Sequence, residues 1–402
     1  LTLEQLIARP AAGGLLVGSG QYQFGQPGQL TLSATGENLP ADAIGQPYGL
    51  PEALTVGPVS LEANVSGPVG DLRGLVSWRA PAGDYPARGN VEFAGNTLRF
   101  RDTTVVVAGG TVTGGGSLVA GRWRADLQAQ GIQLGQLTDN LQGTAAGNAQ
   151  LAGNLRDPQD ISGQGNLDLA IAGGTIDGQI NLANDLWQAD LQGSRLQLAQ
   201  LSDNLQGQAA GQVALSGSVN NLSLAGIQGQ GQFVVSDGLA AAAPIAPQLA
   251  AVREPLTASA SWDGAVLTLQ QAQTAGIQAS GTITPQLSGA GAPGIDNIDL
   301  DLLVDNYTLA ALPLPPVVNL QGQGSFRGSL TGSPQTLTLA GDARLVDFAV
   351  SDLAFESPLS GPVQVALNDG VDINLQGSQQ DVIELSYGFD QRRLSFNIRA
   401  DQ

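Results

Sequence analysis

The chain has 402 residues, 16 basic against 35 acidic side chains for a net charge of −19, 55 glycines, and no cysteine, histidine or methionine. An apolar content of 42% excludes a disordered chain, because that much hydrophobic surface has to be covered. The missing residues exclude a thiol nucleophile, an imidazole base and an ordinary zinc site. All sixteen basic residues are Arg, so a Walker lysine, a Schiff base and a Ser-Lys dyad are excluded too.

Along the sequence no basic stripe stands out of the acidic background, so neither nucleic acid nor a phosphate headgroup is an expected partner. No cofactor is expected. The chain opens on Leu1 without a signal-peptide pattern, and it reads as a piece of a longer protein whose membrane anchor would lie elsewhere. Cysteine usage leaves the compartment open.

In chain order, period-two alternation recurs from end to end and helical periodicity is almost missing. The first Gly-x-Gly pair, Gly18-Ser-Gly20, precedes a strand-like run, and "VSGPVGDLRGLVSW" near Gly67 is a faint first repeat unit over about 57–109. "SLVAGRWRADLQA" puts Trp123, Ala125 and Leu127 on one side and Arg122, Arg124 and Asp126 on the other. Strands with one apolar face follow at Leu167, Leu169 and Ile171, then at Ile180 and Leu182, then at Trp187 and Leu191, then at Leu222 and Leu224. Further on they recur at Ile298, Leu300, Leu302 and Val304, at Val363, Val365 and Leu367, and at Val371, Ile373 and Leu375. Gly, Asn, Asp and Pro clusters separate them by roughly ten to sixteen residues, as tight turns between short strands require.

The segment starting at Trp123 is written again from Trp187, 64 residues later and without a gap: Asp126 pairs with Asp190, Leu134 with Leu198, Asp139 with Asp203 and Gly153 with Gly217. Repeats of about 110–173 and 174–237 follow, with a looser unit at about 276–350. Such repetition signals stacked units, so 1–402 is expected to form one elongated segment. Leu134, Leu137 and Leu141, like Leu198, Leu201 and Leu205, have the spacing of one helical turn at a corner. The Gly-x-Gly pairs at Gly18, Gly163, Gly229 and Gly322 are expected where the sheet bends or bulges. Two Pro-bearing apolar insertions, 238–256 and 312–320, are too interrupted to cross a membrane and would be packed loops or lids over the apolar face.

Chemistry is scarce. Asp299 and Asp301 share one face of a strand, as a glycosidase pair would have to converge, but that face is the polar exterior. Asp139 and Asp203 sit in Asp-Asn turns, where a side chain caps its own backbone. The glycine pairs lack G-x-G-x-x-G and its helix, which removes dinucleotide binding, and the calcium nonapeptide is not present. An enzyme and a metal site are not expected.

The order Leu-x-Gly, turn, strand, Gly-x-Gly, strand, the Gln/Gly/Leu/Asp/Asn-rich composition and corner segments such as "LQLAQLSDNLQG" (196–207) resemble the TamB-type translocation and assembly module of the AsmA-like superfamily, akin to bridge-like lipid-transfer proteins. The likeness is clearest over 97–237 and 319–350. It implies an all-β, elongated, curled repeat sheet forming a taco-like groove with an apolar interior. It further implies a periplasmic conduit for phospholipid between inner and outer membranes of a diderm bacterium, supporting outer-membrane assembly. Phospholipid acyl chains would be the partner. An inner-membrane anchor and an outer-membrane barrel partner would lie outside this segment. The alternating apolar residues from Trp123 to Leu375 would line the groove. The repeats alone also fit a structural β-solenoid or secreted adhesin without lipid cargo, or a carbohydrate-active solenoid.

Overall fold

Alternating sequences with a glycine-rich turn every dozen residues can satisfy their backbone groups only by pairing with the next strand, and the computed structural model shows that arrangement throughout. It describes residues 1–11, 13–46, 55–137, 142–200, 207–236, 255–286, 294–311, 319–351, 353–378, 380–389 and 392–400. Leu141, Leu201, Leu205, Asp139, Asp203 and most of both Pro-bearing insertions lie outside the described residues.

The protein is all-β, with twenty-six strands among the described residues in one antiparallel sheet. The first thirteen are β1 (Thr2–Ala8), β2 (Leu15–Gln23), β3 (Gln29–Pro40), β4 (Pro58–Pro68), β5 (Arg73–Ala80), β6 (Ala87–Ala94), β7 (Thr97–Val107), β8 (Gly110–Val119), β9 (Arg122–Gln133), β10 (Gly143–Asn154), β11 (Asp157–Ile171), β12 (Gly174–Ala183) and β13 (Leu186–Gln197). The rest are β14 (Gln208–Ser218), β15 (Ile227–Ser236), β16 (Leu256–Trp262), β17 (Leu267–Thr274), β18 (Ile277–Gln286), β19 (Gly294–Thr308), β20 (Leu320–Gly332), β21 (Thr338–Val350), β22 (Leu353–Ala354), β23 (Leu359–Ala366), β24 (Gly370–Gln376), β25 (Val382–Gly388) and β26 (Arg393–Arg399). A five-residue helix, Ala41–Gly45, is the only α-helix among the described residues, and no helix there is long and apolar enough to cross a membrane.

Two compact units divide the chain, one of Leu1–Ile171 with Ile176–Ala189, the other of Ala172–Thr175 with Asp190–Gln402. Within the first, each strand from β1 to β11 pairs with its sequence neighbours. In the second, β14 to β21 form a like meander. There β21 receives both the short β22 and, further along, β23, after which β24, β25 and β26 follow in order.

The repeat is visible in the turns. Ala108-Gly109, Ala172-Gly173 and Ala275-Gly276 all have positive φ at both residues, as a type I′ hairpin requires. Three left-handed residues, Gly131 (φ 65°), Arg195 (φ 53°) and Asn306 (φ 47°), each stand three positions before a single 3₁₀ turn: Leu134–Gln136, Leu198–Gln200 and Leu309–Ala311. The helical spacing at these corners is thus one 3₁₀ turn, with Leu134 and Leu309 buried.

The hairpin between β16 and β17 is held by Asp263, whose carboxylate accepts from the backbone N–H of Val266 (2.8 Å) and Ala265 (2.9 Å). These bonds, Val266 first, hold its carboxyl below the usual carboxylate range. The turn's contribution is therefore complete above the unfolded carboxyl's pKa and is lost as pH falls through the lower folded value. A ¹³C titration is expected to place the Asp263 midpoint in the protein below that in a peptide spanning the same turn; equal midpoints would remove the bonds.

Candidate functional site

Most of the expected apolar-face residues occupy the inward row of a strand. On β9, Trp123, Ala125 and Leu127 are half-buried and alternate with exposed Arg122, Arg124 and Asp126. Leu167 and Leu169 on β11, Ile180 and Leu182 on β12, and Trp187 and Leu191 on β13 repeat this alternation, and Ile171 is buried. In the second unit Leu300 and Leu302 on β19, Val363 and Val365 on β23, and Val371 and Ile373 on β24 are half-buried, while Ile298 is buried.

Three residues depart from the expectation. Leu222 and Leu224 are not on a strand: the segment is a bridge between Ser218 and Asn221 followed by a 3₁₀ turn, Leu224–Gly226, and the two side chains are 67% and 52% exposed. Asn221 causes this, its amide oxygen accepting from both the N–H and the hydroxyl of Ser223, which diverts the backbone from the ladder. Leu367 falls one residue beyond β23, in the turn to β24 closed by Asp369 N–H donating to the Ala366 carbonyl, and it is exposed.

Leu375 is on the inward row but packs into a closed core with Leu309, Phe348, Phe355 and Leu359; Val363 and Ile373 lie against it. That core forms because β22 turns back on the end of β21 through Ser351 (φ 53°), stacking Phe355 on Phe348 with ring centres 5.6 Å apart. Neither phenylalanine alternates conspicuously with its neighbours, so the sequence pattern did not point to them.

Over β8 to β11 the inward row owes its half-burial to glycine. Trp123 stands opposite Gly153, and a methyl group added there would lie 2.8 Å from the indole. Leu127 lies over Gly114 in the same way, at 2.9 Å, and Leu151 over Gly163. Elsewhere Trp78 faces Gly89, Phe93 faces Gly74 and Leu215 faces Gly229. Each large side chain lies flat across the neighbouring strand in the space that a missing Cβ leaves, so the sheet itself covers one side of it and leaves the other open. The pairs at Gly163 and Gly229 therefore sit in unbroken register rather than at bulges, whereas Gly322, with φ 101°, and the Gly18–Gly20 pair stand at register shifts.

Polar groups on this row are few. Trp187 Nε1 is buried without a hydrogen-bond partner, in contrast to Trp262 Nε1, which donates to the Leu224 carbonyl at 3.0 Å. Asp299 and Asp301 are exposed on the outward row of β19, flanked by Thr282 and Thr331 and by Ser280 and Ser329, with no second carboxylate facing them across either neighbouring strand. Among the described residues no group of three or more acidic side chains is placed to hold a metal ion.

What the arrangement offers is a low-relief aliphatic surface. Hydrocarbon laid on it would lose water on one side of every flattened leucine at about 25 cal/mol per Å² of apolar surface, with no buried charge among the inward residues named to catch a headgroup. No protein-family model, no curated protein and no solved structure matches the chain.

Proposed function

We propose that the apolar face is the lining of a groove that carries phospholipid acyl chains, and that the chain is an envelope-spanning lipid conduit of the TamB/AsmA-like kind, working in the periplasm of a diderm bacterium. One observation carries the reading: from Trp123 to Leu151 the large inward side chains are half-buried against glycines of their own sheet, with no second layer among the described residues of that unit. A face built to be roofed by its own protein would need a packing partner.

Energetics support the role. Each methylene removed from water contributes about 0.8 kcal/mol, so a bare acyl chain in an aqueous gap faces a barrier of many kcal/mol. A face that offers nearly equal burial at successive positions lowers that barrier and holds the chain nowhere in particular. Small residues between the leucines keep the relief shallow.

The second reading, a scaffold without cargo, is favoured by the closed core around Leu359, where the protein's own side chains fill the space. The two are separated by extracting the purified chain with organic solvent and measuring phospholipid by mass spectrometry. Lipid is expected with the wild type, at less than half that amount with Leu169→Asp, and unchanged with Leu224→Asp, whose side chain lies off the face. A lipid-free wild type, or equal loss in both variants with retained β circular dichroism, leaves the scaffold.

A further inference from the structure

The outward face of the first unit is not evenly acidic. Between Arg73 and Arg124 the chain carries seven of its sixteen arginines against three acids, Asp84, Glu92 and Asp102, in a protein of net charge −19. Strand register places all seven arginines on one face: Arg79 is directly opposite Arg88, Arg99 is opposite both Glu92 and Ser117, and Ser117 is opposite Arg124. Only two ion pairs are formed there among the described residues, Arg73 with Asp71 (3.4 Å) and Arg101 with Glu92 (3.1 Å).

A trench crosses this face. One wall is the cross-strand row Ser60, Arg79, Arg88, Thr104 and Thr113; the other is Thr35, Glu62, Ser77, Asn90 and Arg101. Between them runs a floor of backbone through Gly36, Leu61, Trp78 and Gly89, residues whose side chains, where present, turn to the opposite face. The trench is open to solvent with a volume of about 1160 Å³, and five inter-strand steps from β3 to β8 give a length of about 24 Å. Ser77 Oγ donates to Asn90 Oδ1 at 2.8 Å, and Asn90 Nδ2 donates to Asp102 Oδ2 at 3.4 Å, which fixes the amide in the second wall.

Like charges directly opposite one another in a sheet are unfavourable, yet Arg79 and Arg88 face each other with no carboxylate between them. An anion seated there would remove the repulsion with charge-assisted bonds from both guanidinium groups. Ionic screening acts over about 8 Å at physiological salt, so the distant acidic surface is muted; within the trench Glu37, Glu62 and Asp102 offset part of the arginine charge, and the anion site is the Arg79–Arg88 pair, which no ion pair among the described residues engages. The floor's N–H and C=O groups are already engaged in ladders on both sides, so a peptide could not add itself as a strand. The two aromatic residues bordering the trench, Trp78 and Phe100, are placed by register on the opposite face, so single-stranded nucleic acid would lack stacking platforms. Hydroxyl, amide, carboxylate and guanidinium groups remain, which suit a ligand rich in hydroxyls and carrying an anion at the Arg79–Arg88 pair.

We propose that the trench binds an acidic oligosaccharide, with a carboxylate or phosphate substituent between Arg79 and Arg88 and sugar hydroxyls on Ser60, Ser77, Asn90 and Thr104. The test is calorimetric titration of the full chain with an oligogalacturonate, a phosphorylated oligosaccharide, a neutral oligosaccharide of equal length, inorganic phosphate, single-stranded RNA and phosphatidylglycerol vesicles. Binding of either acidic saccharide is expected, weakening with salt, with the first two probes showing which substituent is preferred. Arg79→Ala and Arg88→Ala should each weaken it at least about tenfold, and Arg344→Ala, in the other unit, should leave it unchanged. No binding of either acidic saccharide, equal binding of the neutral one, tighter binding of RNA or vesicles, or indifference to both trench variants with the β circular dichroism intact would overturn the assignment.

Discussion

Replacing Leu359 by alanine is expected to lower the stability of the second unit by about 2–5 kcal/mol, the usual cost of a leucine deleted from a closed core. Leu359 is 0% exposed, in a cluster with Leu309, Phe348, Phe355 and Leu375, and Gly377 lies close beneath one of its methyl groups. A hydrogen-bonded lid seals that core: Ser357 Oγ donates to Asp381 Oδ2 at 2.7 Å, and Ser378 N–H donates to Ser357 Oγ at 3.0 Å. With walls tied in this way, the cavity has little freedom to collapse. Amide exchange in β21, β23 and β24 should quicken by about 30-fold or more, while β5 to β9 keep their protection. Leu167→Ala, on the half-open face, should cost only about 1 kcal/mol. Equal effects of the two substitutions would mean that the core and the open face are not different environments.

A second large effect is expected at Gly281, where alanine should cost about 3 kcal/mol or more. The residue has φ 142°, and a methyl group there would collide with the Asp299 carbonyl oxygen and lie 2.9 Å from Leu300 Cα. Both belong to β19, paired on its other side to β20, so neither can withdraw without breaking a ladder. Gly131→Ala is the contrast. Its φ of 65° is left-handed, but nothing lies within 4 Å of the added methyl, and the equivalent position one repeat later is already Arg195 at φ 53°. About 1 kcal/mol is expected there, read for both from urea denaturation midpoints at constant slope. A Gly131 variant as damaged as the Gly281 variant would mean that left-handed backbone, not crowding, sets the cost.

Much of this architecture was legible because a strand writes its two faces into its sequence with period two. Trp123 and Leu127, Leu167 and Leu169, and Ile180 and Leu182 alternate in the structure as they do in the chain. The pattern failed where local side-chain bonding competes with the ladder, as Asn221 does beside Leu222. It failed again where one residue decides between strand and turn, as at Leu367. Glycine was the harder lesson, since Gly163 and Gly229 look like bend markers in one dimension. Their role depends on which leucine faces them across the ladder, and that is a property of register.

The arginines show the same division. Net charge sums over the chain and hides the fact that arginines from four strands, Arg73 to Arg124, meet on one face; spacing within a strand gives parity, but only pairing aligns one strand's parity with the next. The sequence by itself determined the class of fold, most of the turns and most of the apolar rows, because these follow from local alternation and backbone stereochemistry. The tertiary structure alone decided which rows stay open, which close around Leu359 and where the trench runs, because burial depends on contacts between residues far apart in the chain.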